Sequence, residues 1–271
     1  YDDALISHEN ALELDPNCVY AWNDKGNSLC GLGKYDDALI CFDKALELDL
    51  KYVKAWNGKG AALDGLGRYD GALICFDKAL ELDPKYLNAW NGKGNALYGL
   101  GKYDDALICF ENALKLDSKY VNAWNGKGLA LYGLGNYDDA LICFENALEL
   151  DPKCVNAWND KGLALYGLGN YDYALISFEK ALELDPNFVY AWNDKGGALY
   201  KLGRYDDALV CLEKALEIDP YFVNAWNGKG VAFESLNRSV EAAMAYSLGR
   251  ESELDSLTRI GIFATFLFVL A

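Results

Sequence analysis

The 271 residues carry 25 basic and 41 acidic side chains, a formal charge of −16, with a single histidine, eight cysteines and seven tryptophans. Such a charge repels phosphate backbones and anionic bilayers, which argues against nucleic acid as a partner. One histidine and no Cys/His cluster of zinc-ligand spacing leave neither a Ser/His/Asp set nor a metal site to assemble, so the chain reads as non-enzymatic, with no cofactor and no metal.

In chain order, the first predicted element is "YDDALISHENALELD", a helix whose apolar residues recur three and four apart, ending at Asp15-Pro16. "VYAWNDKGNSLCGLG" follows as a second helix, then a Gly-Lys-Tyr turn, then "DDALICFDKALELD" as a third. Gly33 suits the end of the earlier helix, where a left-handed residue is often needed, and Asp36 opens the next one, where the helix dipole favours acids. From Val19 this pair repeats with a period of 34: Trp22, Trp56, Trp90, Trp124, Trp158, Trp192 and Trp226 share one phase, and all five prolines share another. The chain therefore divides into a half repeat (1–18), six regular repeats (19–222), a degenerate last repeat (223–256) and an apolar segment (257–271). That segment is too short to span a bilayer and reads as a capping helix, the start of a membrane anchor or an assembly surface.

Trp22, Gly26, Tyr35, Ala38, Phe42, Ala45 and the Asp-Pro ending resemble the tetratricopeptide repeat, over about residues 1–250. The resemblance implies an all-α, right-handed superhelical solenoid of antiparallel helix pairs. It also implies a concave groove lined by the first helix of each pair, and protein or peptide partners. Two positions depart from it. Lysine stands where the family usually has leucine (Lys25 and its equivalents), and an aliphatic residue stands where it usually has a polar one (Ile40 and its equivalents).

Counting each tryptophan as position 4, the lysines fall at position 7, near the centre of the first helix's apolar arc. A buried ammonium needs a partner, and helical side chains tilt toward their own N-terminus. The expectation is that Lys59 caps the helix ending near Asp49, and so along the array. Cys41, Cys75, Cys109, Cys143 and Cys211 share a phase with Ser7 and Ser177, which reads as small buried side chains rather than disulfides. Reduced thiols point to a reducing, cytoplasmic compartment, or to the cell surface if the chain is a fibre subunit.

Opposite the packing arc, position 5 is always asparagine: Asn23, Asn57, Asn91, Asn125, Asn159, Asn193 and Asn227. An amide donates and accepts, so a ladder of them can hold an extended peptide by its backbone. Tyr98, Tyr132, Tyr166 and Tyr200 at position 12 add amphipathic rings, with glycines beside them. The alternative is a solvated face copied with its repeat. On the second helix, Ile6, Ile40, Ile74, Ile108, Ile142, Ile176 and Val210 fall on the solvent side and form a candidate contact row. Two functions follow: a scaffold that binds partner segments along the groove, or a subunit that stacks head to tail into a fibre, the apolar end of one chain covering the lone first helix of the next.

Overall fold

A computed structural model of the chain describes residues 2–253, which form fifteen helices and no strand. A lone helix α1 (Asp2–Leu14) precedes the pairs. These are α2 (Val19–Gly31) with α3 (Tyr35–Leu48), α4 (Val53–Gly65) with α5 (Tyr69–Leu82), and α6 (Leu87–Gly99) with α7 (Tyr103–Leu116). Next come α8 (Val121–Gly133) with α9 (Tyr137–Leu150), α10 (Val155–Gly167) with α11 (Tyr171–Leu184), and α12 (Val189–Lys201) with α13 (Tyr205–Ile218). Last is α14 (Val223–Ser235), followed by α15 over 239–253. The chain divides into two compact units, residues 1–143 and 144–271. The apolar segment over 257–271 and the end of the last repeat lie outside the described residues.

Local chemistry sets the element ends. Gly33 adopts φ +72°, its N–H bonds the Cys30 carbonyl and the Lys34 N–H bonds the Leu29 carbonyl, which closes α2 with the paired bonds of a left-handed helix terminus. Five later repeats use a glycine with positive φ at the same place, and the last uses Asn237 at φ 58°, asparagine being a residue that tolerates this region. Between repeats the prolines stand in the turn rather than in a first helical turn. Pro16, for example, lies between the end of α1 and Val19 at the start of α2. The aspartate before it organises that turn. Asp15, Asp49, Asp83, Asp117, Asp151, Asp185 and Asp219 each accept a hydrogen bond from the backbone N–H two residues on, at 2.9–3.0 Å.

Packing within each unit repeats one motif. First helices lie against one another, α2 on α4, α4 on α6 and α6 on α8 in the first unit, α10 on α12 and α12 on α14 in the second. Alanines at their contacts, such as Ala55, Ala62, Ala89 and Ala96, are fully buried and let the backbones approach. In α3, α5, α7, α9 and α11 the second helix then drives a phenylalanine into the space this leaves. A Cβ built on Gly60 would fall 2.7 Å from the Phe76 ring, and one on Gly92 of the next repeat would fall 2.5 Å from it. The ring is thus shared by two repeats, and the glycines exist to admit it.

Candidate functional site

The lysine row has a different partner from the expected one. Lys25, Lys59, Lys93, Lys127, Lys161, Lys195 and Lys229 each pair with the carboxylate sixteen residues earlier: Glu9, Asp43, Asp77, Glu111, Glu145, Glu179 and Glu213, at 2.6–3.1 Å. The acids at the helix ends accept instead from the turn amides. Each ammonium also lies 5.3–6.0 Å from the ring centroid of the tryptophan three residues before it. Position 7 is therefore a clip between consecutive repeats, its stem packed and its head at the solvent edge.

Because the acids are more than 40% exposed, the clip is worth little. Lys93→Met is expected to change the free energy of urea unfolding by less than about 1 kcal/mol, and a double-mutant cycle with Asp77→Asn to give a coupling of about 0.5 kcal/mol. A loss above about 3 kcal/mol would instead mean an uncompensated buried charge and overturn this assignment.

The tryptophan indoles do work that periodicity did not reveal. Every Nε1–H donates to the carbonyl six residues earlier, at 2.9–3.0 Å, tying the first helix to the turn that enters it. The single histidine, His8, stands half-buried at the position of the phenylalanine rings. All eight cysteines are free thiols. Burial pushes Cys109 and Cys143 up to about 11, so they stay protonated at neutral pH.

The asparagines of position 5 are not equivalent. Asn23 and Asn159 are buried, at 2% and 4% exposure, while Asn57, Asn91, Asn125 and Asn193 are half-buried and Asn227 is exposed. The side-chain oxygens of Asn23, Asn57, Asn91 and Asn159 are buried without a hydrogen-bond partner. Where an aspartate occupies position 6, the amide nitrogen is engaged: Asn23 donates to Asp24 at 3.0 Å, and Asn159 and Asn193 both donate to Asp194, at 3.2 and 3.1 Å. Burial raises the Asp194 carboxyl above its ordinary value, and these two bonds pull it part of the way back.

Tyr98, Tyr132, Tyr166 and Tyr200 are half-buried, their rings 5.2–5.4 Å from Tyr103, Tyr137, Tyr171 and Tyr205. The glycines beside them do not leave open space. Gly99 and Gly133 face the rings of Tyr69 and Tyr103 from the preceding repeat. In the second unit, Tyr166, Asn193 and Tyr200 meet at one cavity, together with Asn224, which periodicity had not singled out. On the second helices, Ile6, Ile40, Ile74, Ile108 and Ile142 of the first unit and Ile176 and Val210 of the second are 54–63% exposed. Among the described residues no helix is long and apolar enough to cross a membrane, and no group of His, Cys, Asp or Glu could hold a metal ion.

Helix pairs at a fixed period, with a buried phenylalanine wedge in five of the six regular repeats, define an all-α helical-repeat protein. The chain belongs to the tetratricopeptide repeat family, whose models match residues 19–52, 53–86, 91–142, 127–188 and 189–222. It is accordingly a protein–protein interaction scaffold of a typically non-catalytic family whose members bind protein or peptide partners.

No curated protein matches the chain. Among solved structures it is similar to YrrB, described as a tetratricopeptide repeat protein with an unusual peptide-binding site, at 29% identity and TM-score 0.50, over 69% of this chain and 97% of that one. The Cut9–Hcn1 heterotetramer of APC/C superposes at TM-score 0.72 with 20% identity over 92% of this chain, which spans about half (52%) of that one. A repeat protein from Parabacteroides merdae gives 0.69 at 18% identity, over 86% and 93%. The last two likenesses show the fold alone.

Proposed function

We propose that the chain holds extended partner segments along the face formed by its first helices. The supporting observation is that these helices pack on one another within each unit and carry the asparagine and tyrosine positions on a shared side. Side-chain amides there meet a peptide backbone without reading its sequence, and the tyrosines give apolar surface with a polar tip. A partner would be a protein or peptide. The test is an array of immobilised twelve-residue peptides probed with the purified chain and with an Asn57→Ala/Asn91→Ala/Asn193→Ala variant. Loss of most spots in the variant is expected. A wild-type chain that binds no peptide, or a variant that binds them all equally, sinks the reading.

A second reading, self-assembly into a fibre, is favoured by one observation, the exposed aliphatic row on the second helices. If that row makes the contact, the molar mass given by light scattering rises with concentration, and Ile74→Glu, Ile108→Glu and Ile142→Glu together abolish the rise. A molar mass that stays at that of one chain at every concentration removes this reading and leaves the groove.

A further inference from the structure

One of the regular repeats breaks the aromatic wedge. Phe42, Phe76, Phe110, Phe144 and Phe178 stand at one position of successive second helices, and Leu212 stands at it in α13. The glycines that admit a ring are nonetheless retained there. Gly196 and Gly228 flank Leu212 as Gly60 and Gly92 flank Phe76, but the nearest leucine atom is 3.0 Å from a Cβ built on either, against 2.7 and 2.5 Å for the ring. A second loss of bulk lies beside the first. At position 9 the two preceding repeats have Leu129 and Leu163 and the next has Val231, but this one has Gly197, whose added Cβ would meet only the Tyr166 ring, at 4.0 Å.

The result is a cavity of about 240 Å³, lined by Tyr166, Asn193, Tyr200, Leu212, Asn224 and Val231. About 150 Å³ is already room for a benzene ring. Its inner wall is leucine and glycine. Asn224 and Val231 are exposed, so it opens on the first-helix face. The rim is held in place, since the Tyr200 ring rests on Tyr205 and its hydroxyl meets the Ser235 hydroxyl at 3.2 Å.

Charge indicates what surrounds the occupant. At 100° per residue, positions 5, 6, 12 and 13 of the first helix fall on one side, and in the second unit these hold Asp160, Asp194 and Glu234 against Lys201 alone. Asp194 hydrogen-bonds Asn193 of the cavity wall at 3.1 Å. The Tyr166 hydroxyl on the rim is pushed up first by burial, then by Tyr171 and by the Asp194 charge. Set in a chain of charge −16, this mouth attracts cations.

We propose that the cavity between Leu212 and Gly197 is an anchor pocket for a phenylalanine side chain, carried by a partner segment whose flanking residues are lysine or arginine. This rests on the groove-binding reading and adds to it a position and a sequence preference. Backbone contacts to asparagines select no side chain, whereas a desolvated apolar pocket does.

The test uses the full chain and three fluorescein-labelled peptides of equal length: lysine-flanked with a central phenylalanine, lysine-flanked with a central alanine, and glutamate-flanked with a central phenylalanine. Anisotropy titrations should show the first binding at least about tenfold more tightly than either other. Leu212→Phe supplies the ring that Phe42, Phe76 and Phe110 already place between such glycines, and its folding is checked by circular dichroism. Gly197→Leu fills the cavity from the other helix with the residue of the preceding repeats. Each variant should bring the phenylalanine-to-alanine ratio close to one. If lysine-flanked peptides bind the parent chain with no phenylalanine preference, or the preference survives both variants, the pocket is overturned and the groove stands. If the glutamate-flanked peptide binds as tightly as the lysine-flanked one, the charge assignment is overturned. If no peptide binds, groove and pocket fall together.

Discussion

Phe76→Ala is expected to destabilise the chain by about 3–5 kcal/mol, the largest loss available to a single core truncation. The ring is 1% exposed and touches both Gly60 in α4 and Gly92 in α6, so its removal opens a cavity at the junction of two repeats and not within one. In a linear array, stability is the sum of repeat terms and nearest-neighbour coupling terms. Cutting a coupling term should do more than lower the urea midpoint. The transition should broaden, or separate into two steps, as repeats on either side of Gly92 unfold with less regard for each other. Phe76→Leu should cost much less, since Leu212 performs the same role in the second unit and remains buried. A single sharp transition with a midpoint unchanged by Phe76→Ala would show that the alanine contacts between first helices carry the coupling by themselves.

How far the sequence led follows from which interactions are local. Tryptophans 34 apart and glycines in phase make the helices and their ends legible, because apolar periodicity and left-handed glycines act within one or two turns. The all-α repeat fold follows from them. Partners across repeats were harder. The tilt of a helical side chain gives the direction in which Lys59 reaches, but does not choose between Asp49 and Asp43, both of which lie on the preceding helix or at its end. In the fold Asp49 accepts from the backbone N–H of Lys51, and the ammonium pairs with Asp43. A trace was nevertheless readable, since an acid stands at every position sixteen residues before a lysine of the row. The asparagine ladder is visible as composition, but the amide's partner depends on whether aspartate or glycine follows. Gly58 and Gly92 face a phenylalanine ring where Asp24 and Asp194 instead take an amide. Leu212 could be seen as a break in a column of phenylalanines. That the break leaves a cavity required the positions of Gly197 and Tyr166 as well.

Asp64→Asn is expected to stabilise the chain at neutral pH and to lose that advantage in acid. Asp64 occupies the position that Tyr98, Tyr132, Tyr166 and Tyr200 hold in later repeats, and its side-chain oxygen Oδ1 is buried without a hydrogen-bond partner. Burial alone raises its carboxyl above the usual aspartate value of 3.8. The sign follows from proton counting. Between 3.8 and the raised value the folded chain binds more protons at Asp64 than the unfolded chain does, so stability falls as pH rises through that window. Above the window the folded state carries the full cost of a desolvated charge, and below 3.8 it carries none. Removing the charge while keeping the shape should therefore gain about 1 kcal/mol at pH 7. The gain should shrink as pH drops toward 4, since the parent carboxyl is then protonated in the fold. Asp194 provides the contrast: its carboxyl is also raised by burial, but Asn159 and Asn193 hydrogen-bond its charged form, so Asp194→Asn sets an –NH2 against one of these donors and should lose stability at pH 7. Urea unfolding of the parent and both variants at pH 4, 5.5 and 7 decides the matter. A stability difference for Asp64→Asn that is the same at all three would mean that the carboxyl binds protons equally in the folded and unfolded chain, and that burial does not disfavour its charge.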